Sequence, residues 1–130
     1  METNMEPSRI LVADDDSTIR RFIATLLADR GYEIYQAPDG EQAYRMAETL
    51  KPDLMLLDLI MPFRDGFDVL ADLKRQETTR RIPIIIMSEK DREEEIVKGF
   101  NLGAEDYVVK PFNSLELLSR IRKILERSRN

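Results

Sequence analysis

Residues 9–16 read Arg9-Ile10-Leu11-Val12-Ala13-Asp14-Asp15-Asp16, a short continuous apolar run closed by three carboxylates. A run this short and this uniformly apolar fits a strand covered on both faces, as in a parallel sheet. Three more runs of the same kind follow: Leu54-Met55-Leu56-Leu57, then Ile82-Pro83-Ile84-Ile85-Ile86-Met87, then Tyr107-Val108-Val109. Glu33-Ile34-Tyr35-Gln36 alternates instead, which predicts a less buried edge strand.

Between these runs the apolar residues take helical spacing. Ile19, Phe22, Ile23, Leu26 and Leu27 fall at i, i+3, i+4, i+7 and i+8, with Gly31 where a C-terminal cap belongs. A weaker helix is predicted from Gly40 to Leu50 through Ala43, Ala47 and Leu50. Another follows Gly66, with Phe67, Leu70 and Leu73 inward. A fourth, Asp91 to Leu102, opens on acids and ends at Gly103. The last starts at Asn113, with Glu116 at capping-box spacing and Phe112 and Leu117 placed as a hydrophobic staple. Leu115, Leu118, Ile121 and Ile124 form its expected buried stripe. Strand then helix, five times over, predicts an α/β fold with helices on both faces of a parallel sheet. At this length the expectation is a single domain of the flavodoxin-like (βα)5 doubly wound class, strand order 2-1-3-4-5.

Composition narrows the chemistry. The 130 residues hold no Cys and no His. Thiolate metal sites, cysteine nucleophiles, Ser-His-Asp triads and histidine-ligated metals are therefore excluded. A metal held here is held by oxygen, which points to magnesium, calcium or manganese. The net charge of −5 argues against direct nucleic-acid binding by this domain. No apolar run approaches a membrane span of roughly 18 residues. Met1 to Ser8 lacks signal-peptide features, so a cytoplasmic setting is expected.

In open α/β sheets, ligands bind beyond the carboxyl ends of the strands. Asp14, Asp15 and Asp16 follow the first strand, Asp58 the third, Ser88 the fourth and Lys110 the fifth. The expected strand order brings all of them to one rim. Taken singly, each is ordinary: an Asp there is often a helix cap, which suits Asp16 with Ser17. Taken together, they are a cluster of like charges. Two carboxylates about 5 Å apart repel by roughly 3 kcal/mol at an effective dielectric near 20. Such a cluster calls for a cation or a proton, and magnesium is the natural oxygen-bound ion.

These stretches resemble the receiver domain of bacterial two-component response regulators, closest to the branch that carries winged-helix DNA-binding domains. The resemblance runs through Ile10 to Asp16, Leu57-Asp58-Leu59-Ile60-Met61-Pro62 with Asp65-Gly66, Met87-Ser88, and Gly103 to Phe112. It covers about residues 9–127, between an expected N-terminal tail (1–8) and C-terminal tail (128–130). It implies that Asp58 accepts a phosphoryl group from a histidine kinase or phosphotransfer protein. Mg2+, or Mn2+ in its place, would be held by Asp14, Asp15, Asp58 and the backbone carbonyl of Ile60. Lys110 would pair with the phosphoryl oxygens, Ser88 would reorient to hydrogen-bond them, and Tyr107 would swing inward behind Ser88. The Lys110-Pro111 bond would be cis. The domain would be no enzyme in its own right, but would self-catalyse phosphoryl transfer to Asp58 and its hydrolysis. The switch would alter the face of the fourth helix, fifth strand and fifth helix, controlling an output or dimerisation. Lys98, Asp106, Glu116 and Arg120 match the branch's cross-subunit ion pairs, so a phosphorylation-dependent homodimer is expected. The last helix and its extension, Ser114 to Asn130, carry five bases against two acids, a local +3 that suits a linker.

One residue departs from the family pattern: Glu89 stands beside the switch serine, where a small residue is usual. It is expected to crowd or repel an incoming phosphodonor or attacking water. Two rival readings stay open. Asp14-x-Asp16-x-Thr18 looks like the nucleophile motif of haloacid-dehalogenase-type phosphatases, which would put the phosphoryl group on Asp14. Against this, Pro111 to Leu115 lacks the acidic pair that family needs. A receiver-like module that is never phosphorylated is the other, although its usual sign, loss of the acids, is not seen. A calcium loop starting at Asp14 fails, because Ile19 and Thr25 replace its glycine and bidentate Glu.

Overall fold

The computed structural model describes residues 6–128. The first five residues of the expected N-terminal tail and the last two of the C-terminal tail lie outside them. Ten elements alternate: β1 (Arg9–Ala13), α1 (Ser17–Ala28), β2 (Glu33–Ala37), α2 (Gly40–Leu50), β3 (Leu54–Asp58), α3 (Gly66–Arg75), β4 (Ile84–Ser88), α4 (Glu93–Asn101), β5 (Asp106–Val109) and α5 (Ser114–Ser128). All strand pairs are parallel and the order is β2-β1-β3-β4-β5. This is the flavodoxin-like arrangement expected from the sequence.

The apolar runs are continuous because successive side chains feed two different cores. Leu11, Ala13, Met55, Leu57, Ile84 and Ile86 face one side, under α2, α3 and α4. Ile10, Val12, Leu54, Leu56, Ile85 and Met87 face the other, under α1 and α5. Strands β2 and β5 are the edges; only Ala37 of the five β2 residues is buried, and Tyr107 and Val108 of the four in β5. Strand β4 begins after Pro83, which has no N–H to donate, although its carbonyl still accepts from Met55 N at 2.9 Å.

Three helix details differ from the sequence reading. Phe22 is 53% exposed, because burial of Ala24 turns α1 so that Ile23 and Leu27 lie at the centre of its buried face. Leu115 is 70% exposed, because the buried face of α5 is centred on Leu117, Leu118 and Ile121, with Ile124 and Leu125 completing it. Helix α4 starts at Glu93 rather than Asp91. Its N-cap is Arg92, whose side chain makes no capping hydrogen bond, so nothing fixes an earlier start. Other signals hold. Asp16 caps α1 by accepting from Thr18 N and Ile19 N, and Asn113 Oδ1 accepts from Glu116 N at 3.0 Å. Ser8, at the end of the expected tail, is buried, and its carbonyl accepts from Glu33 N at 2.9 Å.

Candidate functional site

Register sets the rim. Ala13 pairs with Leu57, so Asp14 stands level with Asp58. Asp58 pairs with Met87 and Ser88 with Val109, so Ser88 and then Lys110 stand one step further out. The side chains that follow from this register enclose a cleft of about 180 Å³ lined by Asp14, Asp15, Asp16, Ile19, Asp58, Ile60, Glu89 and Lys110.

Asp14 is fully buried and Asp58 is 7% exposed. Lys110 Nζ donates to Asp14 Oδ2 at 2.7 Å and reaches Asp58 Oδ2 at 3.4 Å. The ammonium therefore sits between the two carboxylates and closer to Asp14. Asp14 Oδ1 accepts from Asp16 N at 3.0 Å, and Asp58 Oδ1 from Ile60 N at 3.4 Å. Asp15 is exposed, yet its carboxylate completes a group with Asp14 and Asp58 whose oxygens all lie within 4.8 Å of one another. The Lys110–Pro111 peptide bond is cis.

The electrostatics follow from this crowding. Burial, and then the Asp14 carboxylate, push the Asp58 carboxyl up to about 6, against the opposing pull of Lys110. Lys110 is desolvated by its burial, but its two carboxylate partners outweigh that and raise its pKa. One ammonium, paired with two of three close carboxylates, faces them all, so negative charge is left over. The donor set is all oxygen and one side is open to solvent. That chemistry fits a hard divalent cation.

Ser88 and Tyr107 lie beside the cleft. Ser88 is fully buried, and its Oγ accepts from Lys90 N at 3.1 Å. The Tyr107 ring is buried in the core under α4, and its hydroxyl donates to the Lys90 carbonyl at 2.7 Å. The ring is thus buried while Ser88 Oγ still accepts from Lys90 N. Burial raises the Tyr107 pKa, opposed by the Ser88 hydroxyl and reinforced by nearby carboxylates. The four residues named for a dimer face divide. Arg120 pairs within the chain with Asp106 at 2.7 Å and Glu116 at 2.8 Å. Lys98 lies over the Phe67 ring, 4.4 Å from its centroid.

Sequence reasoning missed Arg20. Its Nη1 donates to the Asp14 carbonyl at 2.8 Å and its Nε to Gln36 Oε1 at 3.1 Å, which braces the β1–α1 turn. Nothing in local sequence marks it, because the contact depends on β2 lying next to β1. The reason for Gly66 was also invisible. A Cβ there would lie 2.3 Å from the Asp58 carbonyl oxygen, so α3 begins directly against the end of β3.

Comparison with known proteins gives one answer. The family model described as response regulator receiver domain matches residues 10–122. The DNA-binding dual master transcriptional regulator RpaA of Synechocystis is 40% identical over 120 residues, 92% of this chain and 50% of that protein. The alkaline phosphatase synthesis transcriptional regulatory protein PhoP of Bacillus subtilis is 42% identical over 120 residues, 92% of this chain and 49% of that protein. The chain spans about half the length of the curated relatives it matches. Among solved structures, the Francisella response regulator 1452 receiver domain superposes with a TM-score of 0.88 at 35% identity, covering 93% of this chain and 98% of that one.

Proposed function

Because the chain belongs to the response regulator receiver domain family, a phosphoacceptor signalling switch of two-component systems, we propose that Asp58 is its phosphoacceptor. The observation that carries this reading is the buried Asp58 carboxylate beside Asp14, with Lys110 Nζ bridging the two. A carboxylate oxygen of Asp58 attacks the phosphorus of the donor. The bond from phosphorus to the donor's histidine nitrogen breaks, and the imidazole leaves with a proton from solvent. The domain catalyses this transfer and the later hydrolysis on itself, chiefly by positioning and charge neutralisation.

Asp14, Asp15 and Asp58 would hold Mg2+, with the Ile60 carbonyl as a further ligand and Mn2+ as an alternative ion. Bound there, the cation supplies neutralisation of the charge that builds on the transferring phosphoryl oxygens. Lys110 supplies a fixed positive charge from the other side. The Ser88 Oγ gives up the Lys90 N–H it accepts from and turns so that its O–H donates to a phosphoryl oxygen, and the buried Tyr107 ring keeps the new arrangement closed. The change reaches α4, β5 and α5, where Lys98, Asp106, Glu116 and Arg120 would exchange within-chain pairs for cross-subunit ones in a phosphorylation-dependent dimer. The donor is a histidine kinase or phosphotransfer protein, and the output is transcriptional, as the names of the relatives suggest. No helix among the described residues is long and apolar enough to cross a membrane.

Incubation with acetyl phosphate tests the chemistry. Intact mass spectrometry should record one added phosphoryl group with Mg2+ and none with a chelator. An unmodified mass in both arms contradicts the proposal.

Glu89 is exposed and lines the same cleft. Its carboxylate adds repulsion against an anionic donor. Glu89→Ala is expected to speed labelling by acetyl phosphate roughly fivefold, the effect of relieving about 1 kcal/mol. The gain should shrink at high salt, where exposed charges are screened. Equal labelling rates for the two proteins, or a gain independent of salt, count against this role.

A further inference from the structure

Helix α4 meets the sheet through a residue with no side chain. Gly99 is its only buried residue, with Ile96 half-buried beside it. Beneath Gly99 lie Ile86 and Tyr107, which are register partners on β4 and β5. A Cβ at position 99 would lie 2.7 Å from Ile86 Cδ1, 3.3 Å from Tyr107 Cδ2 and 3.6 Å from Tyr107 Cε2. The 2.7 Å contact forces the end of the Ile86 side chain to move, the 3.3 Å contact presses on the Tyr107 ring, and the ring blocks the space into which Ile86 would turn. A glycine inside a helix is otherwise a liability, because it loses more conformational freedom on folding than alanine does. In a helix of nine residues with no side-chain cap, that liability is not trivial.

We infer that Gly99 is the seat of the Tyr107 ring, a positioning residue that lets α4 stay docked while the ring is buried. The ring's far end reinforces the seat, since the Tyr107 hydroxyl holds the Lys90 carbonyl just before α4 begins. Ring inward and α4 docked are then one state. A methyl group at position 99 sets them against each other: with Ile86 pushed toward the ring, the ring gives way or the helix lifts. Gly99, Ile86 and Tyr107 do not line the cleft that holds the Asp58 carboxylate. The consequence for signalling rests on the phosphoacceptor reading above. The packing claim does not.

The test is a double-mutant cycle with a direct probe of ring position. Gly99→Ala should lower the urea midpoint of the chain that carries Tyr107. In a Tyr107→Ala background the same change should raise it, because the Ile86 side chain can then turn into the space the ring leaves and alanine is the better helix former. In the wild-type chain an NMR cross-peak should join the Ile86 δ-methyl to the Tyr107 ring, and in Gly99→Ala it should be lost or strongly weakened. Should Gly99→Ala fail to fold, recovery of a folded Gly99→Ala/Tyr107→Ala protein supports the seat equally. Gly99→Ala that is neutral or stabilising with Tyr107 present, or rescue by Ile86→Val but not by Tyr107→Ala, overturns it. Acetyl phosphate labelling separates the two readings. Gly99→Ala should label like wild type, whereas a wild type that takes no label indicts the phosphoacceptor proposal and leaves the outcome of the cycle standing.

Discussion

Asp58→Asn is expected to end phosphoryl acceptance and also to make the metal-free protein more stable. The two effects share a cause. The native carboxyl is pushed up to about 6 by burial and by Asp14, from an ordinary value of about 3.9. Below about pH 4 the group is protonated in both folded and unfolded chains, so it costs nothing. As the pH rises through about 6, the folded chain must ionise a group it holds more easily as an acid. The stability tied to the protonated form is lost across that window. An amide has no such transition. The variant should match wild type near pH 4 and exceed it by about 1–3 kcal/mol at pH 7, read by urea denaturation in the presence of a chelator. A bound cation reverses the balance. Magnesium at a hundredfold over its Kd adds about 2.7 kcal/mol to a chain with an intact site, and less to Asp58→Asn, which lacks one ligand. A metal-free wild type more stable than the variant at pH 7 contradicts this electrostatic picture.

Gly66→Ala should be the most damaging small substitution in the acceptor loop. The added Cβ would stand 2.3 Å from the Asp58 carbonyl oxygen and 2.7 Å from the Leu59 Cα, and both are backbone atoms that cannot rotate away. The Gly66 N–H also donates to the Leu59 carbonyl at 2.7 Å, so the two segments are tied where the clash falls. Overpacking of this kind costs about 1–3 kcal/mol, and more where the backbone must shift. The upper end is expected here. The shift displaces Asp58 itself. A displacement of about 1 Å costs on the order of a hundredfold in rate, so acetyl phosphate labelling should fall by about that much even in the folded fraction. Urea midpoints and labelling rates measured on one sample check both parts. An alanine variant with wild-type stability and rate means that α3 has freedom to move that the close packing denies.

The particular residues show why some of this was legible in sequence and some was not. The three central strands, β1, β3 and β4, announce themselves because their apolar residues meet a core on both faces, and the middle of β5 does the same, which leaves little room for a polar residue until the strand ends. For the same reason Asp14, Asp58, Ser88 and Lys110 stand out: each is the first polar side chain after such a run, and parallel strands bring those ends together. Helix stripes are less definite, since an apolar pattern wider than the sheet beneath it leaves one flank wet. Phe22 and Leu115 are those flanks. The start of α4 was misplaced because acids in a first turn favour a helix without fixing where it begins. Arg20, Gly66 and Gly99 act across the sheet or between layers, over distances set only once the chain is folded. Sequence could name their residue types and not their neighbours. The same holds for Lys110, whose closer partner is Asp14 rather than the proposed acceptor.

The central claim is that the phosphoryl group is carried by Asp58, and peptide mapping of the acyl phosphate tests it most directly. The protein is incubated with Mg2+ and acetyl phosphate, the acyl phosphate is trapped by borohydride reduction, and the modified residue is located by mass spectrometry. Asp58→Asn and Asp14→Asn are run alongside. Reduction product is expected at Asp58 alone, dependent on Mg2+ and absent from Asp58→Asn. Product at Asp14, or label that persists in Asp58→Asn at the wild-type level, contradicts it and points to phosphatase-type chemistry at the end of β1.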